Sequence, residues 1–217
     1  MKTFILSGFR LLSVLAALCL FQLQAACSPQ PVSLIPGGTP RIGVAPFTQP
    51  LVVSDLLAGY IPENIAKIDA AVFPRLDRDF AVILSRIEDR DFISREQAAV
   101  CSASIPKNAA LPALDYWTLV GECMEADLLV VPQIIHWQER KGGDFGVEEP
   151  ASVVMDIFLL DARLKALIAR SRYDEKQRPL LENLLELDKF IERRGRWVGA
   201  GQLAQEGMFK AVKEFGL

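Results

Sequence analysis

The side chains able to carry out chemistry in this sequence are few, and their spacing rules out most reactions. There are four cysteines (Cys19, Cys27, Cys101 and Cys123) and a single histidine, His136. Zinc needs several nitrogen or sulfur ligands close together. One histidine and no Cys-x-x-Cys pair do not supply them, so no metal or other cofactor is expected. Any Ser–His–acid triad would depend on that same histidine, and no Gly-x-Ser-x-Gly turn is present to hold a serine. Phosphate cradles are equally lacking, since Lys141-Gly142-Gly143 lies between expected strands rather than ahead of a helix. Glu148 and Glu149 are adjacent and on extended backbone point to opposite faces, so they do not pair as acid and base. The expectation is a protein that is not an enzyme.

Cys27 has another chemistry within reach, as the acceptor of acyl chains. It follows Leu23-Gln24-Ala25-Ala26, small residues at the end of an apolar run from Leu11 to Leu23 that is broken only by Ser13 and Gln22, with Lys2 and Arg10 ahead of it. That run fits the ~7–15 residues of a signal peptide and is shorter than the ~20 of a spanning helix. Residues 1–26 therefore read as a lipoprotein signal peptide and Cys27 as the lipidated first residue of the mature chain. Gln24 stands where the usual lipoprotein box carries an aliphatic residue. The competing outcome is ordinary cleavage, which would leave Cys27 a free thiol in a periplasmic protein.

Behind Cys27, residues 27–40 hold four prolines and two glycines and form an extended tether. Residues 41–217 then make one globular domain, long enough to bury roughly 70% of its unfolded surface. The formal net charge of −3, with no dominant basic face, argues against nucleic acid as a partner.

Arg41–Pro46 is a short interior strand. Val72, Phe73, Leu76, Phe80, Ile83 and Leu84 predict an amphipathic helix over about 70–86, with Pro74 in its first turn. Phe92-Ile93 is a second strand, and Ser94 with Gln97 is a capping box opening a helix through Cys101. Pro112 opens the next helix. Leu128–Trp137, Val153–Leu160 and Ala166–Tyr173 are three strands joined by short links, which implies an antiparallel meander with helices on both faces. Pro132 marks a bulge or an unpaired edge. Two helical patterns follow, over 180–190 and 200–215. The fold class is α/β: a mixed sheet with a three-strand antiparallel meander and helices packed on both faces.

On this frame, Cys101 and Cys123 form an even pair in an exported chain and are expected either to bond or to stay as two buried thiols. In a simple helical hairpin Cys101 sits near the joining loop and Cys123 near the far end, so a bond requires 101–111 to fold back along the second helix. Two further features point to a partner or head-group contact. Arg193, Arg194 and Arg196 with Trp197 form a basic junction between helices, which could equally be arginines at a helix C-terminus. The loops 47–63 and 141–149 carry apolar tips, Tyr60, Ile61 and Phe145, which either meet a partner or fold back over the sheet.

Together with Cys27, the order of elements and the runs Arg41-Ile42-Gly43-Val44-Ala45-Pro46-Phe47 and Ala126-Asp127-Leu128-Leu129-Val130-Val131-Pro132 resemble a group of bacterial envelope proteins. The group comprises the curli-secretion lipoprotein, the lipoprotein activator of penicillin-binding proteins, an exopolysaccharide-export lipoprotein and the amino-terminal domain of TolB. The segments Arg172-Tyr173-Asp174-Glu175, Glu182-Asn183-Leu184 and Arg194-Gly195-Arg196-Trp197-Val198 resemble a set of uncharacterised bacterial lipoproteins. The resemblance implies a non-enzymatic protein that contacts a partner or assembles into rings. It also implies passage to the outer membrane, since Ser28 rather than an acidic residue follows the anchor. The curli-secretion pattern uses long amphipathic hairpins to form pores, and the short 138–152 link has no pair of ~9–11-residue strands to do so. The expected role is an outer-membrane-anchored periplasmic lipoprotein, held by acyl chains on Cys27, that serves as an assembly or accessory factor for envelope or export machinery. A ring-forming homo-oligomeric subunit of an export complex is the first rival. A small-molecule or glycan binder using 47–63 as a lid is the second.

Overall fold

Strands that are apolar on both faces must be covered on both, and the chain supplies helices to each side. The computed structural model describes residues 39–106, 111–143, 146–177 and 198–217, and Thr39–Leu217 forms a single unit. Five strands make the main sheet: β1 (Arg41–Val44), β2 (Asp91–Phe92), β3 (Leu128–Gln138), β6 (Ser152–Asp161) and β7 (Ala166–Lys176), in the order β2-β1-β3-β6-β7. β1 runs parallel to β2 and β3, while β3, β6 and β7 are the antiparallel meander that their short links require. Asp161 makes the last link tight by accepting the N–H groups of Arg163 and Leu164 at 2.9 and 2.8 Å.

The two sides of the sheet bury different residues. Under α1 (Val72–Leu84) and α4 (Ala200–Phe215) lie Val130, Ile134, Val153, Met155 and Ile157, packed against Leu76, Phe80 and Leu203. On the other side Leu129, Val131, Phe158 and Leu160 share a core with Ala98 and Cys101 of α2 (Arg95–Ser104) and Trp117 and Val120 of α3 (Ala113–Cys123). α4 presents a small-residue face, and also hydrogen-bonds along the outermost strand. Tyr173 donates to Glu206, Ser171 to Glu214, and Lys210 to the carbonyl of Arg172. Glu206, Lys210 and Glu214 are four residues apart, one face of the helix.

Three local expectations take a different form, and the cysteine pair settles on one of its two alternatives. Pro132 lies in an interior strand, paired with Ile157. Its carbonyl accepts from Thr48, so its missing N–H also points toward β1, where the ladder is interrupted between Ala45 and Thr48 and no partner waits for it. Only half of the capping box forms. Ser94 Oγ accepts the Gln97 N–H at 3.3 Å, but the Gln97 side chain reaches across to the carbonyl of Met124 instead of back to Ser94. The link after β3 is not a bare turn but a ribbon of β4 (Lys141–Gly143) and β5 (Gly146–Glu149), held by a Lys141–Glu149 ion pair at 3.1 Å. The cysteines take the bonded alternative, for which α2 and α3 cannot be a simple hairpin. Cys101, in the last turn of α2, meets Cys123, the last residue of α3, with their Cα atoms 5.8 Å apart in a disulfide. The expected helix over 180–190 lies outside the described residues.

Candidate functional site

The long connection between β1 and α1 crosses the face of the sheet that α2 and α3 leave open, and polar side chains fix its path. Thr48 pairs with Gln133 beyond the end of β1, with Ile134 N–H donating to the Thr48 carbonyl at 2.8 Å. Gln49 holds the returning strand of the loop by donating to the Ala66 carbonyl at 2.8 Å and accepting from the Ile68 N–H at 2.9 Å. Gln133, only 1% exposed, donates to the Asp55 carbonyl at 2.7 Å and accepts from Leu57 N–H. At the start of the connection Asp77 of α1 accepts the Phe47 N–H at 2.8 Å. Burial pushes the Asp77 carboxyl up from its ordinary value, against the lowering pull of that N–H and of Arg95 and Arg78.

Beneath the loop runs a polar row across three strands, since Gln133 pairs with Asp156 and Asp156 with Arg172. Asp156 is 1% exposed and accepts from Arg170 Nε and Nη2 at 2.9 and 3.0 Å and from Arg172 Nη1 at 3.0 Å. Arg172 also reaches Asp174 at 3.1 Å, so two arginines answer two carboxylates. The Arg170 guanidinium lies 5.7 Å from the centre of the Phe158 ring. Gly59 lies close to the same guanidinium at φ +103°, where a Cβ would come within 2.8 Å of Arg170 Nη2. A side chain there would be both strained and blocked.

The outer surface of this pinned loop is apolar. Leu51, Val52 and Val53 are 45%, 53% and 80% exposed, and Tyr60 is 69% exposed. Three consecutive apolar residues turned to solvent on a loop held this firmly form a ready contact surface. Of the residues singled out from the sequence, Tyr60 belongs to this surface and Ile61 is half-buried beside it. The loop backbone folds over the sheet, while Tyr60 at its tip faces outward. Cys27, Phe145, Arg193, Arg194 and Arg196 lie outside the described residues.

Leu51, Val52 and Val53 were missed because an apolar triplet between Pro50 and Ser54 carries no periodicity. The polar row did leave a signal: Asp156 is the only charge in the Val153–Leu160 run, and Gln133 interrupts Leu128–Trp137. A buried polar group in a strand must find a partner.

A separate groove of about 210 Å³ opens between α1 and α2, beyond the ends of β1 and β2. Its floor is apolar, from Val44, Phe80, Leu84 and Phe92, with Ser94 and Arg95 on one wall. Among the described residues no three His, Cys, Asp or Glu side chains gather as metal ligands.

No protein-family model and no curated protein matches the chain. Solved structures similar to it include a PelC dodecamer from Paraburkholderia phytofirmans, at 10% identity over 82% of this chain and 88% of that one, with a TM-score of 0.44. Lipoprotein GNA1162 from Neisseria meningitidis is similar at 13% identity over 70% and 91%, with a TM-score of 0.39. The C-terminal domain of LpoB from Escherichia coli follows at 10% identity over 67% and 90%, with a TM-score of 0.37. All three are distant, and none assigns a role to this chain.

Proposed function

We propose that this chain is a non-enzymatic lipoprotein, anchored in the outer membrane through acyl chains on Cys27 and facing the periplasm, which serves envelope or export machinery by docking one of its proteins on the 51–60 loop. The observation that carries the docking role is the pinned loop with its exposed Leu51, Val52, Val53 and Tyr60. Mobile loops lose entropy on binding, whereas one already fixed by Gln133 and Gln49 offers its apolar tip at little ordering cost. The anchoring rests on the leader and on Ala25-Ala26-Cys27, and the disulfide suits an oxidising compartment.

A photo-crosslinking residue at position 53 in intact cells, compared with one at Val100, tests the docking role. Val100 is 68% exposed on α2, outside the loop segment. The expected result is a discrete adduct with one envelope protein from position 53 and none from position 100. Equal products from both positions would overturn the docking role, and an adduct of twice the chain's own mass would favour the ring-forming subunit. Anchoring is checked separately with Cys27→Ala, which is expected to free the domain from membranes without unfolding it.

A further inference from the structure

We propose that the Cys101–Cys123 disulfide is a redox latch, opened by a dithiol oxidoreductase that attacks Cys123, and that its opening releases α2 and widens the groove between α1 and α2. The inference is independent of how the chain is anchored.

The latch follows from how little else holds α2. Its ten residues bury only Ala98 and Cys101 in the core. A helix of that length is marginal in water on its own, and one alanine methyl contributes little apolar burial. The hydrogen bonds that cross from α2 to its surroundings are modest. Gln97 Nε2 donates to the Met124 carbonyl at 3.3 Å, and Tyr116 Oη donates to the Ser102 carbonyl at 3.0 Å. The covalent bond is therefore the main attachment of this helix to α3. Release matters because Ser94 and Arg95, at the head of α2, wall the groove whose floor is Val44, Phe80, Leu84 and Phe92.

Access decides which sulfur is attacked. Cys101 is 3% exposed, whereas Cys123 lies on the surface at the end of α3. A thiolate of the reductant attacks Cys123 Sγ, the Cys101–Cys123 bond breaks, and Cys101 leaves as a thiolate that takes up a proton. The second thiol of the reductant then attacks its own sulfur in the mixed disulfide and expels Cys123. Two electrons and two protons pass to the protein, which gains two thiols, while the reductant becomes a disulfide.

The test is reduction of the full chain by dithiothreitol without denaturant, followed by peptide-resolved hydrogen exchange and by the fluorescence of an apolar dye. The expected result is at least a tenfold loss of protection confined to 95–104, unchanged protection in β3, β6 and β7, and a rise in dye fluorescence that reverses on reoxidation. A Cys101→Ser/Cys123→Ser variant is expected to reproduce the reduced pattern, and Gln97→Ala in the oxidised chain is expected to leave α2 protected. The proposal is overturned if 95–104 stays as protected after reduction as before, if the whole domain loses protection together, if no dye binds, or if the bond resists the dithiol until the chain unfolds.

Discussion

The Gln133 side chain fixes the turn of the loop above it by holding two backbone groups two residues apart, donating to the Asp55 carbonyl at 2.7 Å and accepting from the Leu57 N–H at 3.4 Å. It does so from an interior strand and at 1% exposure, so the loop's shape is set by the sheet rather than by its own composition. Gln133 and Asp55 lie 78 positions apart in sequence, and the fold brings them together.

Replacing Gln133 by leucine keeps the volume and removes both hydrogen bonds. The expected cost is about 1–2 kcal/mol, because the loop backbone left behind is close enough to solvent to recover part of its hydrogen bonding. Amide exchange at Leu57 should accelerate while the core strands keep their protection. Urea unfolding with unchanged slope, together with exchange at residues 55–57, checks both parts.

Asp156 and its two arginines predict an asymmetry. The arginine side chains are 31% and 33% exposed, so in Asp156→Asn both can turn to water, and the expected cost is about 2 kcal/mol. Replacing Arg170 and Arg172 together by methionine strands a carboxylate at 1% exposure, for which about 3–5 kcal/mol is expected. Urea midpoints of the two variants should therefore fall in that order. Equal losses would mean that water reaches Asp156 through the loop.

Much of this architecture is legible in the sequence, and the residues show where legibility stops. The helix under the sheet follows from the spacing of Leu76, Phe80, Ile83 and Leu84, which periodicity alone reveals. The meander follows from short links between apolar strands. The interior position of Pro132 does not follow, because it depends on where a neighbouring ladder happens to lapse. The same holds for the Cys101–Cys123 contact, which depends on how two helices cross. For the loop, Tyr60 stands out by residue type. The grip of Gln133 and Gln49 comes from side chains meeting a backbone far away in sequence, which no local pattern encodes.

Gly207 marks the closest approach of α4 to the sheet. A Cβ there would meet the Met155 side-chain tip and would stand 2.7 Å from Tyr173 Cγ. Met155 can bend away, but the base of the Tyr173 ring moves only with β7. Overpacking of about 1–3 kcal/mol is offset in part by the better helix propensity of alanine, about 1 kcal/mol. Gly207→Ala should therefore lower stability by up to about 2 kcal/mol and weaken the Tyr173–Glu206 hydrogen bond. Near-ultraviolet circular dichroism and thermal unfolding would show both effects.

Asp77 provides a prediction in pH. Its carboxyl is raised above the ordinary 3.8, chiefly by burial and in spite of the Phe47 N–H and the nearby Arg95 and Arg78. A folded-state carboxyl with a raised pKa binds its proton more tightly than the unfolded chain does. Its contribution to stability is therefore fully present below pH 3.8 and is lost as pH rises through the elevated value. At pH 7 the ionised, half-buried group is a liability, retained because one of its oxygens anchors the Phe47 N–H. Asp77→Asn keeps an oxygen acceptor for that N–H and removes the buried charge. The variant should unfold at a urea concentration equal to or higher than the native chain at pH 7, and its advantage should shrink as pH falls toward 4. An advantage that grew on acidification would show instead that the ionised carboxylate is stabilising through Arg95.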